Sequence, residues 1–378
     1  MADRSVSRKS GGMMSEYLIQ DTTLEDIADA IRAKKGTQAG IQVSDFPSEI
    51  ASIPTGGDPI IVESDSALYN DGLFSSLHTY PTFYYNNDYY VVGNGGLYKY
   101  NTSTKMFESV ISWFTGGSTE RGASGALVYV SSADEYIYVY WPTTNNYTRY
   151  IYWIRLSNMT RGYYDLANSG WDTSINHQTC LIKHPTNEVV YFYSGYTAAN
   201  DCTGHLNISI NNNTVSITPY IASQFARPSN TGDNTTRCFG CITSENAMCV
   251  IRSSYIIKLP WDSMWMAYSN PTTHAISDLS VLLNTNAISS YGTMLMKALS
   301  PTSFMFLAYL GSTIVGGKWI YKTLIITYDT ANSTATFLKI LSGILRSSTS
   351  FSNDNHDMCF FSGSGVYAVD TAGNITAI

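Results

Sequence analysis

The sequence predicts a mainly β protein: a six-bladed β-propeller preceded by a small α-helical hairpin. Three observations carry that prediction. First, a short strand signature returns six times, at Gly96–Asn101, Tyr152–Ser157, Leu206–Asn211, Ile256–Leu259, Leu324–Asp329 and Gly365–Asp370. Aligned on Tyr100, Leu156, Ile210, Leu259, Tyr328 and Val369, the returns lie about 40 to about 70 residues apart and average about 54, near the period of four-stranded blades. Second, alternating hairpins precede the signatures, as in Ala126–Val130 with Tyr136–Tyr140, Cys180–Lys183 with Val189–Tyr193, and Met294–Ala298 with Phe304–Ala308. Third, only 13% of the 378 residues are charged, where a globular domain carries about 25%. Asn, Ser, Thr and 29 Tyr supply the polar surface instead, a composition suited to strands and turns. A β-sandwich stack or a β-helix is the rival architecture. Four strands in each unequal repeat favour the propeller.

From the N-terminus, residues 1–15 show no apolar pattern and read as disordered. They hold Arg4, Arg8 and Lys9 but no apolar core of a secretory signal. Residues 16–57 read as the helical hairpin. Thr22 and Glu25 make a capping-box pattern. Leu24, Ile27, Ala28 and Ile31 then fall at i, i+3, i+4 and i+7 on one face. Lys34, Lys35 and Gly36 suit the helix end. A second short helix is expected from Ser44 or Asp45, with Phe46, Ile50 and Ile53 on one face and Pro54 as its stop. The hairpin is too small to fold alone, so Leu24, Ile27, Ile31, Phe46 and Ile50 form a face that packs together and against a partner. Residues 55–59 read as a linker, and residues 58–378 as the propeller.

Within a blade, the turns between strands one and two and between three and four read as short: Asn86-Asn87, His184–Glu188, Asn211–Thr214 and Asp329–Thr334. The other connections read as long: Trp141–Arg149, Ser194–Thr203, Gly311–Lys318, Ser112–Ala123, Ser223–Thr236 and Ala267–Tyr291. The last includes a helix-like stretch, Ala275–Leu283. In a propeller the two classes emerge on opposite faces, so binding is expected on the long-loop face. Trp113, Trp141, Tyr147, Tyr150, Trp171, Tyr196 and Trp319 fall in or beside these loops, and Asn145, Asn146, Asn200 and Asp201 offer polar partners. Aromatic faces with neutral hydrogen-bonding groups are the chemistry of sugar recognition. Trp113, Trp141, Asn145, Asn146, Tyr147, Trp171, Tyr196 and Trp319 are therefore the candidate ligand-binding residues; the rival role for each aromatic is to plug the gap between blades.

Catalytic patterns are missing. The chain has no G-x-S-x-G, no Walker A, no H-E-x-x-H and no Rossmann glycine pattern. Gly93-Asn94-Gly95-Gly96 precedes a strand rather than a helix. No cofactor and no metal site are expected. Cys238-Phe239-Gly240-Cys241 is a single C-x-x-C without the second pair that zinc needs, and the six cysteines read as buried strand thiols. The net charge of −7 argues against a nucleic-acid backbone binder, and no apolar run is long enough to insert in a membrane. Asp165, Asp172, Asp201, Asp233 and Glu245 leave open a carboxylate pair for glycoside hydrolysis.

Leu24-Glu-Asp-Ile-Ala-Asp-Ala-Ile-Arg-Ala-Lys-Lys-Gly-Thr37, followed by Ile41-Gln-Val-Ser-Asp-Phe-Pro-Ser-Glu-Ile50, resembles a short segment recurrent in tail-fibre and tail-tip proteins of bacteriophages and prophages, many from Gram-positive hosts. The resemblance covers the LxDIADAIRxKxG core and its DFxxEI follower and leaves the large domain unidentified. It implies a virion tail protein made in the bacterial host cytoplasm, with residues 16–57 attaching to other tail or baseplate proteins. The propeller is then expected to be a receptor-binding domain for a host cell-surface glycan. A cell-surface polysaccharide depolymerase and a non-catalytic baseplate or decoration protein are the alternatives. A homo-oligomer is compatible with the resemblance, although no heptad run enforces one.

Overall fold

The computed structural model describes residues 24–29, 31, 42, 44, 60–62, 81–93, 96–112, 124–142, 149–169, 171, 179–184, 188–196, 199–227, 238–243, 247–252, 255–263, 267–275, 296–315, 318–332, 334–343, 351–352, 358–362 and 365–378. The chain divides into two compact units, Met1–Gly56 and Gly57–Ile378. In the first, residues 24–29 and 31 are helical. Ala28 and Ile31 are buried and Leu24 half-buried, whereas Ile27 is 36% exposed. At 100° per residue Ile27 lies on the margin of the stripe that Leu24, Ala28 and Ile31 centre. The expected second helix, with Phe46 and Ile50, lies outside the described residues.

The second unit consists of six antiparallel sheets built in chain order, each from four successive strand positions. The first blade is β2 (Thr82–Tyr85), β3 (Asp88–Gly93), β4 (Gly96–Asn101) and β5 (Met106–Ser112). The second is β6 (Ser124–Val130), β7 (Glu135–Trp141), β8 (Tyr150–Arg155) and β9 (Thr160–Asp165). The third is β10 (Thr179–Lys183), β11 (Val190–Gly195), β12 (Asn200–Asn211) and β13 (Thr214–Ala226). The fourth is β14 (Cys238–Ile242), β15 (Ala247–Arg252) and β16 (Tyr255–Asp262), whose outer edge is shared by β17 (Ala267–Tyr268) and β18 (Thr272–Ala275). The fifth is β19 (Met296–Ala298), β20 (Ser303–Val315), β21 (Lys318–Asp329) and β22 (Thr334–Gly343). The sixth is β23 (Phe351–Ser352), β24 (Met358–Ser362), β25 (Gly365–Val369) and β26 (Ile375–Ala377). A further strand, β1 (Ile60–Val62), adds in parallel to the outer edge of β22.

Apolar clusters between successive blades close the six sheets into a ring. Phe83 and Val92 meet Tyr138 and Ile154 between blades one and two. Val139 and Trp141 meet Phe192 and Ile217 between two and three. Ile182 and Tyr193 meet Val250 and Leu259 between three and four. Ile251 meets Phe304 between four and five, and Leu307 meets Phe360 between five and six. Val366, with half-buried Ile378, returns to Tyr89 and Val91 of the first blade. Each strand alternates its side chains between two such interfaces, which is why the strands read as apolar on both faces. The fold is a six-bladed β-propeller.

The six marker residues sit on equivalent third strands: Tyr100 on β4, Ile210 on β12, Leu259 on β16, Tyr328 on β21 and Val369 on β25, with Leu156 just past the end of β8. Four of the expected long loops are shorter than their sequence suggests. β20 runs to Val315 and β21 restarts at Lys318, so Gly311–Lys318 is mostly hairpin. β17 and β18 occupy the start of Ala267–Tyr291. β12 starts at Asn200 and β13 runs to Ala226, inside two other expected loops. Ladder hydrogen bonds extend these strands past the point where their apolar alternation fades. Residues 276–295, which include most of the helix-like stretch, lie outside the described residues.

Candidate functional site

Several sequence-chosen aromatics turn out to hold blades together. Trp141 is 0% exposed and Trp171 is buried. The two rings meet edge to face at 5.3 Å, and both pack on Phe192 of the third blade. Half-buried Tyr196 meets Trp171 edge to face at 5.4 Å. Trp141 and Trp171 are thus inter-blade plugs rather than ligand-facing residues. The reason is periodicity: Trp141 continues the row Ile137, Val139 on one face of β7. Trp319 lies on β21, with its side chain outside the described set. Trp113, Asn145, Asn146 and Tyr147 lie outside the described residues.

The structure instead brings a different set together in a cleft of about 700 Å³. It opens beside the β6–β7 turn, on the short-turn side of the ring, and reaches from the second blade to the fourth. The hairpin β12–β13 builds most of it. These two strands outrun their inner neighbour, because the β11 ladder ends at Val190 opposite Leu206 while β12 continues to Asn211. Asn212 and Asn213, left-handed at φ 48° and 65°, form a two-residue turn of the type that matches strand twist. Gly204, at a bulge between Thr203 and Gly204, sits where a Cβ would lie 1.9 Å from the Tyr220 carbonyl and 2.6 Å from the Phe192 ring. Only glycine allows that approach.

Both ends of this hairpin are tied down. At its base, buried Asp201 accepts hydrogen bonds from the Tyr193 hydroxyl at 2.5 Å and from Arg227 Nε at 2.9 Å. The Thr203 hydroxyl donates to the Tyr268 carbonyl of the fourth blade. At its tip, Arg155 of the second blade donates to the Asn213 carbonyl at 3.2 Å and to its side-chain oxygen at 3.3 Å. The same guanidinium is paired with Glu135, and that pairing holds the Glu135 carboxyl below its usual range.

Aromatic groups form one part of the cleft lining. Tyr220 is 54% exposed, and its ring lies 5.0 Å from that of His205. Tyr191 packs edge to face with His205 on one side and with Trp261 of the fourth blade on the other. Tyr129 borders the second blade. Small neutral polar groups (Ser131, Ser132, Asn207, Ser209, Ser216 and Thr218) line it too, beside aliphatic Val128, Val130, Val189, Leu206 and Ile208. Glu188 supplies the one carboxylate among the described residues that line the cleft, and none of these is a lysine or arginine. Burial lowers the pKa of His205, with its hydrogen bond to Asn207 opposing, so the imidazole is neutral at pH 7. The Tyr129 phenol is pushed up, chiefly by its hydrogen bond to Asp134.

The backbone of β12 adds directional groups. Asn211 and Thr214 flank the two-residue turn and exchange both ladder bonds. Alternation then aims the N–H and C=O of Leu206, Ile208 and Ile210 toward the opposite edge. Pro219 opposite Leu206 agrees with this phase, since it has no N–H to give β12. Leu206 meets Val190, but among the described residues no backbone group meets Ile208, which lines the cleft. Among the described residues, Ile208 therefore offers the cleft a donor and an acceptor side by side, the complement of two neighbouring hydroxyls. Nothing in the sequence reading selected Tyr220, His205, Trp261 or Ile208. A signal was available for Tyr220, which continues the exposed row Ser216, Thr218 of β13.

No known family profile matches the chain, and no curated protein matches it. Among solved structures it is similar to the SapL1 lectin in complex with α-methyl fucoside, at 10% identity and TM-score 0.46, over 81% of this chain and 96% of that one. It is similar to the six-bladed β-propeller lectin of Aleuria aurantia at 8% identity and TM-score 0.43, over 81% and 96%. It is equally similar to the Pan2 WD40 domain of Neurospora crassa, at 8% identity and TM-score 0.44, over 84% and 87%. With TM-scores below 0.5 and such low identities, these likenesses assign no ligand to the chain.

Proposed function

We propose that this chain is a phage tail-associated receptor-binding protein that recognises a bacterial surface glycan, with residues 16–57 attaching it to other tail or baseplate proteins. The observation that carries the glycan reading is the composition of the cleft. Aromatic rings, neutral hydroxyl and amide groups and a strand-edge donor–acceptor pair converge there, with no cation for an anionic ligand among the described lining residues. Aromatic faces pack on the C–H surfaces of a sugar, and neutral groups exchange hydrogen bonds with its hydroxyls. Among the described residues that line the cleft Glu188 is the one carboxylate, whereas most glycoside hydrolases use two. The attachment reading is supported by the resemblance of residues 24–50 to tail-tip segments.

The test is adsorption of the purified chain to host envelope and to a glycan array. Tyr220→Ala and Trp261→Ala are expected to weaken binding at least tenfold, with melting nearly unchanged for the exposed Tyr220. Undiminished binding by both variants refutes the cleft as the site. Release of reducing sugar on incubation with host envelope moves the assignment to the depolymerase.

A further inference from the structure

The fourth blade and its neighbour share a pair of thiols that nothing described above uses. Cys180 lies on β10, the innermost strand of the third blade, and Cys238 opens β14, the innermost strand of the fourth. Both are buried and free, at 1% and 5% exposure. They belong to one apolar cluster between these blades, and Cys238 adds to the burial that pushes the Cys180 thiol up. Gly240 clears the space: a Cβ there would stand 3.2 Å from the Cys180 sulfur. The Cys180 sulfur thus lies against the same strand that Cys238 opens, within one cluster, which is the neighbourhood a disulfide requires.

We propose that Cys180 and Cys238 are the site of an oxidative cross-link that fastens the third blade to the fourth. Successive blades meet through packed side chains, so a covalent bond adds a kind of restraint that the ring otherwise lacks at this joint. The bond also spans the cleft's own framework, since Tyr191, His205 and Tyr220 belong to one of the two blades and Trp261 to the other. The oxidant is a small disulfide such as oxidised glutathione. The thiolate of one cysteine attacks it, releasing one glutathione thiolate and leaving a mixed disulfide. The second cysteine, as thiolate, displaces the other glutathione. Two protons leave the protein thiols, two electrons pass to the oxidant, and two reduced glutathione molecules form. Burial disfavours the thiolate, so the reaction proceeds through opening of the blade joint and is slow in the folded chain.

Peptide mapping under non-reducing conditions tests this directly. The purified full chain is held with oxidised glutathione at pH 8, with and without urea below the unfolding transition. The expected product is a Cys180–Cys238 peptide pair that dithiothreitol reverses, accompanied by a higher melting temperature. Cys180→Ala should abolish both, and Cys241→Ala neither. Wild-type mapping that finds only Cys241–Cys249, or no protein disulfide in either condition, overturns the proposal. A cross-link that leaves melting unchanged overturns its role as a fastener.

Discussion

Replacing Trp141 by Ala should cost about 3–5 kcal/mol, because it opens a cavity where three aromatic rings now meet. Urea denaturation measures the loss, while sugar affinity of the folded fraction should stay unchanged. A stable variant with lost affinity would return Trp141 to the ligand surface. His205 makes a second prediction at this scale. Its folded pKa lies below the ordinary 6.5, so the unfolded chain takes up the proton first. Its contribution to stability is complete above pH 6.5 and declines as pH falls through the depressed folded value. The urea midpoint of the parent should therefore drop more between pH 7 and pH 5 than that of His205→Gln. Parallel pH profiles would show that His205 does not carry this effect.

At the scale of elements, the β12–β13 hairpin depends on two consecutive left-handed residues, Asn212 at φ 48° and Asn213 at φ 65°. Asparagine tolerates that region and β-branched residues do not, at a cost of roughly 1–2 kcal/mol per residue. Asn212→Val with Asn213→Val should lower the urea midpoint and weaken glycan adsorption together, whereas Asn212→Gly should preserve both. The strand edge has its own test. Proline at position 208 removes the N–H that faces the cleft without touching a bond to β13. Ile208→Pro should reduce affinity about tenfold, equivalent to about 1.4 kcal/mol, and Ile208→Ala should reduce it much less. Equal affinities for the two variants would remove the backbone from the recognition scheme.

For the whole molecule, division at Gly56 and Gly57 predicts that the ring folds without the N-terminal unit. A chain beginning at Asp58 keeps β1 on the edge of the fifth blade. It should melt cooperatively and still bind host envelope, yet fail to join particles when it is the sole copy supplied during phage assembly. Normal incorporation of the truncated chain, measured on purified particles, would remove residues 16–57 from the attachment role.

The sequence by itself determined the number of blades, since six local hairpin units each carry their own alternation and turns. It also determined the Asn86-Asn87 and Asn212-Asn213 turns, because left-handed backbone is a property of the turn residues themselves. It was silent on which side chains share a cleft. Tyr220, His205 and Trp261 lie on three different strands of two blades, and their meeting depends on ring closure and on how far β12 outruns β11. Trp141 marks the same boundary from the other direction. A tryptophan next to a loop can face solvent or a neighbouring blade, and the tertiary packing of Trp171 and Phe192 against it made the choice. Strand pairing and turn chemistry are local and can be read along the chain. The facing of one blade upon the next is a long-range contact, and it alone decided which aromatics became core and which were left to line the cleft.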